Sequence, residues 1–127
     1  MQLSFITKIV IFVKIVNNYI FSIFVMKFIS YKNIMIYLEN IKVRNISCND
    51  LNLEKIFIYE RRVAKAMKIE KCFTSACCLF RTLRQLGYKP NLCIGITKNK
   101  SFESHAWIEV DNYKFLYKPR YKIIKKI

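Results

Sequence analysis

Glycine and proline occur only twice each in this 127-residue chain. Flexible linkers and low-complexity tails draw on both, so most residues belong to regular elements with short connections. Histidine and tryptophan occur once each. One histidine, without paired short cysteine spacings, offers no structural zinc site, so no metal is expected. No nucleotide motif or internal repeat is present, and no cofactor is expected. Acidic residues number 8 against 23 Lys and Arg, a formal charge of +15. That excess suits an acidic partner: nucleic acid, anionic lipid or an acidic polypeptide. The basic residues are scattered apart from the tail "KPRYKIIKKI", and no stacking motif accompanies them, so nucleic acid is not the expected partner.

What is present is apolar. Hydrophobic residues make up 54% of the chain. Length and hydropathy together imply one domain, 1–127, made of a hydrophobic, basic helical region (1–45) and a core (50–127) that holds the cysteines and the histidine. The five cysteines are odd in number, and no small-residue cleavage site follows the N-terminal apolar run. Free thiols in a reducing cytoplasm are therefore expected.

The run "LSFITKIVIFVKIVNNYIFSIFVMKFI" (3–29) invites a transmembrane reading. Lys8, Lys14, Asn17, Asn18 and Lys27 interrupt it, and no unbroken apolar stretch reaches the ~18–20 residues a span needs. At about 100° per residue, Ser4, Thr7, Lys8, Lys14, Asn18 and Ser22 gather in one narrow polar strip. A helix packed on most sides fits that pattern better than one lying on an anionic membrane surface. "MIYLENIKVRN" (35–45) reads equally as strand or helix end.

"CNDLNLEKIFIYERRVAKAMKIEK" predicts a helix capped by Asn49 or Asp50, with Leu53, Ile56, Val63 and Met67 inward. Arg61, Arg62, Lys65 and Lys68 form its expected solvated face. "CFTSACCLFRTLRQLGYKP" predicts another helix from about Cys72 to Leu86, with Ala76, Leu79, Phe80, Leu83 and Leu86 as its stripe. Gly87 suits the position after its end, and Pro90 blocks continuation. Cys77 and Cys78 fall mid-helix, as small core residues do. Cys72 opens the helix, where unpaired N–H groups and the dipole favour a nucleophilic thiolate.

"NLCIGIT" alternates Leu92, Ile94 and Ile96 against Cys93 and Gly95, a half-buried strand. "HAWIEV" alternates too, with Ala106, Ile108 and Val110 inward and His105, Trp107 and Glu109 opposite. "DN" at 111–112 makes a turn, and "YKFLY" returns. Extended to the end, that register sets Lys118 across from His105. Glu109 and Asp111 lie about 13 and 20 Å along the strand from His105, too far to orient its ring. Alone, His105 reads as an ordinary polar residue. A cysteine at a helix start, then a strand, then a histidine at a strand start, is the order of papain-like and transglutaminase-like folds. The expected fold is α+β: N-terminal helices plus a cysteine-bearing helix packed on a small antiparallel sheet.

"RRVAKA…CFTSACCLFRTLRQLGYKPNLCIGITKNKSFESHAWIEV" resembles the lasso-peptide biosynthesis B2 proteins, which are transglutaminase-like leader peptidases. The resemblance covers about Arg61 to Phe115. It implies a cytoplasmic cysteine peptidase that removes the leader from a ribosomally made precursor peptide. Its implied partners are a leader-binding B1-type protein and a lasso cyclase. Carried over, Cys72 is the nucleophile and His105 the base. Trp107, on the histidine's face, is the candidate substrate contact. The chain departs from the family pattern at Phe73, usually Leu, and at Ser75, where an Arg is usual. The return strand also lacks the family's acidic residue. Tyr117, Asn112 or a backbone carbonyl is then left to orient His105. Without that acid, a catalytically degenerate domain that binds the precursor is one alternative; a basic, membrane-associated surface protein anchored by residues 3–29 is the other.

Overall fold

A computed structural model describes residues 5–41, 53–68, 71–97, 104–118 and 121–127. The expected caps Asn49 and Asp50, together with Cys48, lie outside these residues. Four helices precede four strands: α1 (Phe5–Phe28), α2 (Tyr31–Glu39), α3 (Leu53–Ala66), α4 (Cys72–Gln85), then β1 (Asn91–Ile96), β2 (Ser104–Val110), β3 (Tyr113–Phe115) and β4 (Lys122–Lys126). Of the segment left open between strand and helix end, residues 35–39 form the end of α2, and 42–45 lie outside the described residues.

α4 is the central helix. Its stripe of Ala76, Leu79, Phe80 and Leu83 packs on Leu92 and Ile94 of β1 and on Ala106, Ile108 and Val110 of β2. Its end follows the anticipated chemistry. Gly87 adopts φ 94°, Tyr88 N–H donates to the Leu83 carbonyl at 2.9 Å, and Gly87 N–H to that of Arg84 at 3.2 Å. These paired bonds satisfy carbonyls that the last turn otherwise leaves open.

The other side of α4 meets α1 and α3, and here two expectations are corrected. The polar strip of α1 does not face solvent. Asn18 and Ser22 are buried, and Asn18 Nδ2 donates to Thr82 Oγ1 at 2.7 Å and Gln85 Oε1 at 3.1 Å. α4 offers polar partners on that side, so the strip turns toward them and the apolar majority of α1 is left outside. Of the cations expected in solvent, Arg62, Lys65 and Lys68 are exposed, whereas Arg61, partly exposed, is also tied to a buried partner. Its Nε and Nη2 each donate to a carboxylate oxygen of Glu60 at 2.6 Å. Glu60 is fully buried, and the Tyr19 hydroxyl donates to its Oε1, the oxygen that also accepts from Arg61 Nη2. Burying a carboxyl is tolerable only when such partners satisfy its oxygens.

The sheet runs β3-β2-β1-β4, antiparallel throughout. The tail, read above only as a basic run, supplies β4. Its lysines at 122, 125 and 126 suit an edge strand, where charge discourages further pairing. The hairpin register is the one the two-residue turn dictates, with Val110 opposite Tyr113 and Ile108 opposite Phe115. Pairing ends there. Leu116 takes φ 68° and turns the chain, so Lys118 never comes opposite His105. The expectation of one open face also fails, because β1 and β2 are buried on both sides. Cys93, Trp107 and Tyr121 form a second small core beyond the sheet, with Leu116 against it.

Candidate active site

Cys72 and His105 lie far apart in sequence, but α4 packs across β2 and brings the start of one to the start of the other. Both line an open, mainly apolar cavity of about 500 Å³, with Phe73, Ile94, Ser104, Ala106 and Ile124. No hydrogen bond joins the two side chains; what they share is this cavity. Hydrogen bonds of a catalytic pair commonly tighten only when substrate is bound.

The local sequence explains the setting of Cys72. Lys71 precedes the helix at φ −82° and ψ 119°, makes no side-chain cap, and no acidic residue stands in the first turn. The opening N–H groups of α4 are therefore left without a capping side chain beside the thiol. Cys72 is partly exposed, whereas Cys77, Cys78 and Cys93 are buried. Burial pushes the Cys77 and Cys93 thiols up to about 12, for Cys93 with help from its bond to Glu109, and raises that of Cys78 as well. Those three are held as neutral thiols.

His105 is 7% exposed and stacked on Tyr121, ring centroids 4.8 Å apart. Its Nε2 is bonded to the Leu116 carbonyl at 2.5 Å. A carbonyl only accepts, so Nε2 carries the hydrogen and a neutral ring keeps its lone pair on Nδ1. The left-handed turn at Leu116 is what aims that carbonyl. No carboxylate among the described residues bonds the ring. Glu109 is engaged elsewhere: it accepts from Cys93 Sγ at 3.1 Å and pairs with Lys126 at 3.4 Å and Lys114 at 3.7 Å. It thus ties all four strands together, and these partners, the Cys93 bond foremost, hold its carboxyl below the ordinary range.

Tyr117 sets its ring edge-on to Trp107, centroids 5.5 Å apart, with Lys114 Nζ 4.6 Å from its ring centre. Trp107 itself is corrected as a substrate contact. It is fully buried and so presents no surface to a peptide. It lies over Gly95, the cross-strand partner of His105. A Cβ there would come within 2.8 Å of the indole and 2.9 Å of the Lys122 carbonyl. Glycine is needed because both the indole and β4 approach this closely.

Of the candidates to orient His105 it is a backbone carbonyl that bonds the ring, that of Leu116, which the sequence reading did not single out; Tyr121 and Ile124 escaped it altogether. A backbone carbonyl has no residue signature, and a short basic tail hides a strand. Ile124 is the extra residue of a bulge, since Ile94 pairs with Lys125 but Gly95 pairs with Ile123. Such bulges re-aim side chains beside active sites, and this one turns Ile124 toward the cavity.

A helix-opening cysteine facing a strand-opening histidine, over an antiparallel sheet, defines the transglutaminase-like class of cysteine–histidine folds. Residues 30–120 match the family model of the Transglutaminase-like superfamily, more than half the chain, and the protein belongs to that superfamily. α1 and β4 lie outside the matched stretch. No curated protein and no solved structure matches the chain.

Proposed function

We propose that this protein is a cysteine peptidase that removes the leader from a ribosomally made, lasso-type precursor peptide. The observation that carries the reading is the shared cavity of Cys72 and His105, with the histidine tethered by the Leu116 carbonyl. Nδ1 of His105 takes the thiol proton as Sγ attacks the scissile carbonyl. The same nitrogen then delivers that proton to the leaving amine. Water hydrolyses the thioester and restores the thiol. The Cys72 backbone N–H is the oxyanion donor, having no intrahelical partner. The mainly apolar walls, Ile94, Phe73 and Ile124 among them, suit an apolar residue beside the scissile bond.

The lasso assignment draws on "CFTSACC", "CIGI" and "HAWIEV" in register and on the chain's small size. Its partners are then a leader-binding protein that presents the precursor and a cyclase that consumes the product, in the cytoplasm. The test is cleavage of a lasso precursor by the full chain with its leader-binding protein, followed by mass spectrometry. Wild type should release leader and core, and His105→Ala should lose about 10⁶ in rate, the order lost when a triad histidine is removed elsewhere. Precursor binding without turnover would instead identify a precursor-holding domain, the reading favoured by the absent acidic partner.

A further inference from the structure

α1 presents to solvent the kind of surface that folded proteins usually bury. Phe5, Ile6, Val13, Ile20, Phe24 and Phe28 are each 52–77% exposed. At about 100° per residue they fall on one broad face, interrupted by the exposed Asn17 and, at its C-terminal end, Lys27, and opposite the Asn18–Ser22 side that packs on α4. The face continues into an open apolar cleft between α1 and α2, lined by Phe24, Ile29 and Tyr37 among others. Exposed apolar patches of this extent mark an interaction surface. Lys8 and Lys14 stand at its two flanks, half-buried; side chains of that length can lie along apolar surface and keep their charge in water.

We infer that α1 docks the protein on an anionic lipid surface, lying in the plane of the interface with this apolar face inserted. Charge selects the occupant. A chain of net charge +15 is drawn to a negatively charged bilayer. A second copy would bring another +15 against the first. By length and composition alone α1 is also a candidate span. Its inner face, however, is held by α4 through Asn18 and by α3 through the Tyr19–Glu60 bond. Crossing the bilayer would strip those polar groups of their partners, whereas lying flat keeps them. The inference is independent of the peptidase reading.

Co-sedimentation of the full chain with phosphatidylcholine vesicles, and with vesicles of equal parts phosphatidylcholine and phosphatidylglycerol, tests it. Partition should be at least about tenfold stronger on the anionic vesicles and should weaken as salt rises. The triple variant Ile6→Ser, Val13→Ser, Phe24→Ser alters only the exposed face. It should lose at least about tenfold in partition while its thermal unfolding stays that of wild type. If the variant misfolds, the wild-type contrast between the two vesicles and its salt dependence still decide. Three results would overturn the inference: equal partition on both vesicles, no partition on either, or a dimer sealed through α1 that vesicles fail to dissociate.

Discussion

Leu116 shows how one backbone conformation shapes the chemistry of a side chain eleven positions away. Its φ of 68° is one that leucine adopts at a cost, and it points a carbonyl at His105 Nε2. Leu116→Gly keeps that angle available, so cleavage should persist. Leu116→Pro fixes φ near −65° and swings the carbonyl away; cleavage should fall at least about 100-fold in a protein whose circular dichroism is unchanged. Equal rates for the two variants would remove the carbonyl from the mechanism. The cysteines sort by environment in the same way. Iodoacetamide should modify Cys72 first and abolish activity in step, because Cys77 and Cys93 are held at about 12 by burial. Peptide mapping that found Cys93 modified first would reassign the nucleophile.

At the scale of elements, the sheet carries the site through contacts that admit little change. β2 places His105 at its mouth, and β1 supports it only because Gly95 leaves room for Trp107 and β4. Gly95→Ala should cost about 1–3 kcal/mol in urea unfolding, as overpacking does. It should also slow cleavage, since the indole or β4 must shift beside His105. Unchanged stability would show that Trp107 relaxes freely, which its complete burial argues against. α1 illustrates the converse. An element can dock through a side that mixes polar residues (Asn18, Ser22) with apolar ones (Ile11, Ile15) when its neighbours supply partners for both, and its larger apolar face then remains for something else.

Across the whole molecule, Glu109 is the electrostatic tie of the sheet. Its carboxyl is held below the ordinary 4.5 when folded. Its contribution is therefore complete above the unfolded value and is lost as pH falls through the folded one. Stability should drop between neutral and acid pH. Glu109→Gln should be less stable at pH 7 and show a flatter dependence in the acid range, read from urea midpoints at each pH. A variant with the wild-type acid profile would locate the sensitivity elsewhere.

The sequence by itself determined what local rules govern. Periodicity, Gly87 and Pro90 defined α4, alternation defined β1 and β2, and "DN" set the hairpin register, since these depend on residues within a few positions of one another. The order of Cys72 and His105 also made the class of fold legible. Tertiary structure decided the rest. Which face of α1 is buried depends on Thr82 and Gln85, more than sixty residues away. Whether the tail is a strand depends on the free edge of β1. What orients His105 depends on a carbonyl, a group every residue carries, so only its position in space distinguishes it.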